Sequence, residues 1–113
     1  MMKNRNRNNA RYLSFNSSEE RGRFVLLYKD LFTPYSMASE LPIRAKKDGN
    51  EAVLKQLLEG YCIDSEYTWR QMADYGDYQL VINILPENWE YILKHNNFEK
   101  IKFLHHRYLW RLV

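Results

Sequence analysis

The sequence predicts an all-α protein, built as stacked short antiparallel helix pairs or, failing that stack, as a small irregular helical bundle. Three observations lead there. A turn-then-helix phrase recurs: Gly49-Asn50 precedes Val53, Leu54, Leu57 and Leu58; Gly76-Asp77 precedes Leu80, Val81, Ile84 and Leu85; Asn96-Asn97 precedes Ile101 and Leu104. Each unit has one apolar edge that it cannot bury alone, so the units need neighbours. Finally, only four glycines and three prolines occur among 113 residues, which favours helices with short connections over a turn-rich β fold.

The elements follow in order. Residues 1–16 are rich in Asn and Arg and poor in apolar side chains, and read as a flexible basic arm. Residues 17–113 then form a single helical domain. Ser17-Ser18-Glu19-Glu20 has the form of a helix start, with acids at the positive end of the helix dipole. This helix carries Phe24, Val25, Leu26, Leu27, Leu31 and Phe32, and stops by Thr33 because Pro34 disfavours helix at the residue before it. A short helix ending near Glu40 and a second starting at Pro42 fit the next stretch. Asp48-Gly49-Asn50 is a turn, Glu51 to Leu58 a helix, and Gly60 its C-terminal glycine. Ser65 suits the N-cap of a helix through Ala73, with Tyr67, Trp69 and Met72 as its bulk. Tyr78 to Leu85 holds three β-branched residues and fits a strand by composition; helix is preferred because its apolar positions repeat those of Val53 to Leu58. Pro86 opens a helix through Lys94, and a last helix runs from Phe98 towards Trp110.

These units, near 40–60, 65–85 and 86–106, resemble degenerate ankyrin repeats of the kind found in large DNA viruses and intracellular bacteria. The resemblance rests on the Gly-polar steps at Gly49 and Gly76, on Ala45 and Ala73, and on the apolar ladders that follow. The spacings between steps are shorter than the family's period, and its Thr-Pro-Leu-His opening is missing. Leu85-Pro86-Glu87 with Trp110-Arg111-Leu112-Val113 is similar, more weakly, to the ends of an F-box, an adaptor that docks a ligase scaffold. The ankyrin resemblance implies a non-catalytic module that binds a protein partner through connector tips and first-helix faces, in the manner of a host interaction. On this chain those positions are Tyr61, Asp64, Tyr67, Trp69 and Arg70, with Trp89 and Tyr91 beside them. Aromatic residues and Arg are the usual content of interface hot spots; the alternative is that Trp69 and Trp89 are core.

Composition sets further bounds. Apolar residues make up 45% of the chain, too many for global disorder. The single cysteine, Cys62, has no internal partner for a disulfide. Residues 1–16 hold no apolar run of the kind a secretory leader carries, so an intracellular, cytoplasmic location is expected. No P-loop, G-x-S-x-G or dinucleotide fingerprint occurs. His95, His105 and His106 do not follow zinc-ligand spacing, and Asp64, Glu66, Asp74 and Asp77 read as a solvated connector. No enzymatic activity, metal or cofactor is therefore expected. The net charge of +3 gathers at the ends, and Lys100 to Arg111 mixes bases with Phe103, Tyr108 and Trp110. Basic residues interleaved with aromatics suit nucleic acid. The alternative function is accordingly a small nucleic-acid-binding protein that uses the basic arm and the last helix.

Overall fold

Among the described residues four strands, three of them in stretches expected to be helical, organise the protein. The computed structural model describes residues 9–34, 51–61, 66–76, 78–104 and 107–113. In chain order the elements are β1 (Ala10–Phe15), α1 (Ser18–Tyr28), α2 (Glu51–Leu57), α3 (Glu66–Met72), β2 (Tyr78–Asn83), α4 (Pro86–His95), β3 (Phe98–Leu104) and β4 (Arg107–Leu112). The fold is a mixed α/β one, and this overturns the all-α helical-repeat expectation. The strands form one sheet in the order β2-β1-β4-β3. β1 pairs antiparallel with β2 and parallel with β4, and β3 pairs antiparallel with β4.

The helices expected before Pro34 and after Pro86 form where their signals lie. Ser17 caps α1 by accepting the Glu20 backbone N–H at 3.1 Å, and the Glu20 carboxylate accepts the Asn16 N–H at 3.3 Å. Pro86 sits in the first turn of α4, where its missing N–H costs nothing. Gly60 adopts φ 87°, as a residue closing the turn after α2 requires.

The other assignments change for physical reasons. Tyr78–Asn83, read as helix, is β2, and all but its first residue are buried. A strand covered on both faces has a nearly continuous apolar run, which hides the period of two. Leu80 and Ile82 point to one face of the sheet and Val81 to the other. Phe98–Leu104 and Arg107–Leu112, read as one helix, are the antiparallel pair β3–β4, in register at Glu99↔Arg111, Lys100↔Trp110, Ile101↔Leu109 and Lys102↔Tyr108. Ala10–Phe15, expected in a flexible arm, is the inner strand β1.

The sheet therefore has a core on each side. On one face, Leu13, Phe15, Leu80 and Ile82 meet Phe24 and Val25 of α1, Leu54 of α2, and Trp89 and Ile92 of α4. On the other, Tyr12, Val81 and Leu109 meet Trp69 and Met72 of α3. Burying side chains of this size is worth roughly 1.5–3 kcal/mol each, which makes these two clusters the main stabilising term. Two buried polar side chains are tied to neighbouring segments: the Asn83 side-chain amide donates to Thr33 Oγ1 at 2.8 Å and to the Pro34 carbonyl at 3.0 Å, and Arg21 donates to the Gln79 carbonyl at 2.9 Å. The outer edge of β2 is covered at one end, where the Thr33 N–H donates to Asn83 O and the Asn83 N–H to Tyr61 O.

Candidate functional site

Strand register brings a basic and aromatic cavity to one end of the sheet. Side chains alternate along a strand, so Leu13 and Phe15, Trp110 and Leu112, and Phe98 share the face covered by α1 and α4. One alternation earlier, Arg11 on β1 and Tyr108 on β4 stand on that same face, past the cover of α1. Lys100 and Lys102 stand on it from β3, opposite Trp110 and Tyr108. The helices thus cap one end of the sheet and leave the other end displaying cations and rings.

A cavity of about 630 Å³ opens there, within the range of ligand sites. Its floor and walls include Arg11, Lys100, Tyr108 and Trp110 from the sheet, Trp89, Glu90 and Leu93 from α4, and Tyr12 and Arg107 at its rim. The Lys100 ammonium lies over the Tyr108 ring at 4.3 Å and the Trp110 ring at 5.5 Å. The Arg11 guanidinium lies 5.6 Å from the Trp89 ring, which itself meets Trp110 edge-on at 5.2 Å. Arg107 donates to the Tyr12 hydroxyl. Burial lowers the pKa of Arg11 from its ordinary value, and the charge of Glu90 acts in the opposite direction. Three cations face one acid, so the cavity attracts anions, while Tyr108, 38% exposed, offers a flat apolar surface. A second, smaller cavity of about 180 Å³ lies under Arg23, Leu27 and Tyr28 of α1, beside Asn96 and Leu112.

The residues expected to bind a partner do not converge on one surface. Tyr61 is half-buried, its ring edge-on to Phe32 at 6.4 Å. Trp69 is buried against the face of the sheet opposite α4, and Arg70 next to it is exposed. Trp89 is 4% exposed and forms a wall of the cavity. Tyr91 is exposed on α4, its ring tilted against that of His95 at 4.5 Å. Asp64 and the side chain of Tyr67 lie outside the described residues, as do Cys62, His105 and His106. Among the described residues, no group of three His, Cys, Asp or Glu is placed to hold a metal ion, and no helix is long and apolar enough to cross a membrane.

No family model, curated protein or solved structure matches the chain.

The sequence points to the basic aromatic run of Lys100 to Arg111 and, within the basic arm, to Arg11, but not to the cavity's other contributors Tyr12, Glu90 and Leu93. The signal for β3 is short: Lys100, Ile101, Lys102 and Phe103 alternate polar and apolar, the period of a strand. Nothing local ties Arg11 to this run, because the pairing of β1 with β4 is a long-range contact.

Proposed function

We propose that the uncovered end of the sheet binds single-stranded nucleic acid. The observation that carries this reading is the placement of Lys100 over Tyr108 and Trp110 at a cavity that Arg11 and Arg107 also line. Phosphates need cations, bases need flat rings, and a strand needs both within one nucleotide's reach. Here the sheet register supplies that combination. Lys100 and Arg107 neutralise phosphate, Tyr108 stacks a base, and Trp110 and Trp89 form the apolar back wall. The expected basic aromatic surface is retained, carried on a β-hairpin in place of a helix. A pI near 9.0 adds a sequence-independent attraction.

A titration of a labelled single-stranded oligonucleotide, read by tryptophan fluorescence at about 50 and 200 mM salt, tests the proposal. Phosphate contacts by Arg11, Lys100 and Arg107 predict a loss of roughly twentyfold in affinity over that range. Absence of binding at the lower salt, or binding that ignores salt, overturns it.

A protein partner remains a second reading, on one observation. Leu26 and Leu27 of α1 are 62% and 68% exposed, and Leu27 lines the smaller cavity. Paired apolar exposure on one helix is a feature of contact surfaces. Replacing both by Lys leaves nucleic-acid binding intact and abolishes capture of a protein partner if this surface is used.

A further inference from the structure

We propose that the exposed face of α1 pairs with the same face of a second copy of this chain; this rests on the second reading above and gives it a partner. Arg23, Leu26, Leu27 and Asp30 stand at i, i+3, i+4 and i+7, so on a helix they share one face. Asp30 lies in the 3-10 turn Lys29–Leu31 that continues α1. All four are exposed, the Asp30 side chain at 92%, whereas Arg21, Phe24, Val25 and Tyr28 on the other side of the helix are buried. The spacing is the same read in either direction, with opposite charges at its two ends. Two such helices laid antiparallel, about a two-fold axis between Leu26 and Leu27, set Arg23 of each copy level with Asp30 of the other. The same operation gathers four leucines round the axis. A parallel pair sets Arg23 beside Arg23 and Asp30 beside Asp30, so the charges select the antiparallel one. Arg23 makes no ion pair among the described residues. Asp30 meets only its neighbour Lys29, at 3.5 Å, an exposed contact of small worth that a second copy can replace. Phe24, Tyr28 and Leu112 border the smaller cavity next to Leu27, so the leucines have an apolar recess beside them. No residue of α1 lines the larger cavity, and the pairing leaves it open.

Sedimentation equilibrium of the full chain, at about 50 mM salt to limit screening, tests the pairing. One helix face makes a contact of the weak, transient class, so concentrations run from about 10 µM to 1 mM. The wild-type chain moves from monomer towards dimer over that range. Arg23→Asp and Asp30→Arg each place like charges together at both ends of the contact, and each raises the dissociation constant about tenfold. The double variant Arg23→Asp/Asp30→Arg exchanges the charges and restores association to near the wild-type level. Both positions are exposed, and circular dichroism of each variant shows that the fold is kept. A wild-type chain that stays monomeric to 1 mM overturns the inference and leaves the second reading to a different protein. Dimers that persist when Leu26 and Leu27 are both replaced by Lys use another surface and overturn it as well. So does a double variant that associates no better than the single ones, because the charges then do not meet across the axis.

Discussion

Ser14 and Gly76 stand so close that a Cβ added to Gly76 would lie 2.1 Å from Ser14 Oγ. Gly76 also has φ 154°, and the Ser14 hydroxyl donates to the carbonyl of the preceding Tyr75 at 3.3 Å. This is where the chain leaves α3 and enters β2, pressed against β1. Gly76→Ala is expected to destabilise the fold by about 2–4 kcal/mol, through overpacking and backbone strain together. The double change with Ser14→Ala removes the closest clash and recovers part of the loss. Urea denaturation of the three variants measures both effects.

Trp89 and Tyr108 separate stability from binding. Trp89 is held between Phe98 at 5.6 Å and Trp110 at 5.2 Å, and Trp89→Ala should cost about 3–5 kcal/mol of stability. Tyr108 is much more open, so Tyr108→Ala should cost less than about 1 kcal/mol of stability while weakening single-strand binding roughly tenfold. Thermal melts paired with fluorescence titrations distinguish the two. A Tyr108→Ala variant that binds like wild type removes the stacking surface from the proposal.

Lys100 reports on phosphate contact. Its ammonium lies on two rings, not in an ion pair among the described residues. Lys100→Ala should lower affinity for all strands alike and reduce the slope of log affinity against log salt by about 0.7. A slope that does not change places the phosphate elsewhere.

Arg11 carries a cost in the unbound protein. Burial lowers its pKa, with Glu90 opposing. Arg11→Met keeps the length and apolar contact of the stem and removes the desolvated charge. The variant should melt at or above the wild-type temperature while binding single strands several-fold more weakly. A fall in both properties would make Arg11 a structural residue first.

The helix start at Ser17 offers a local check. Ser17→Ala removes the acceptor for the Glu20 N–H and should cost about 1 kcal/mol, measured by chemical denaturation.

What could be read from the sequence follows the range of the forces involved. Ser17 and Pro86 act within one turn, and their helices begin where those residues predict. Gly60 likewise closes its turn locally. Tyr78 to Asn83 hides its strand period because its apolar run is continuous: Val81 serves one core and Leu80 and Ile82 the other, and no polar face marks the period. Gly76 resembled the start of a repeat, but its requirement is the close approach of Ser14, a residue far away in sequence. The bases and rings of Lys100 to Arg111 were visible as composition. Their gathering with Arg11, Trp89 and Glu90 depends on the parallel pairing of β1 with β4 and on the crossing of α4, which no local pattern encodes.

That parallel pairing of Tyr12 with Leu109 also bears on how the protein is made. While a ribosome is still delivering the middle of the chain, β1 has no neighbour on one of its two sides. Its apolar residues must wait for β4, and folding dominated by such distant pairings is slow. The newborn polypeptide therefore passes through a stage in which an unfinished inner strand is open to chaperones, to proteases and to copies of itself.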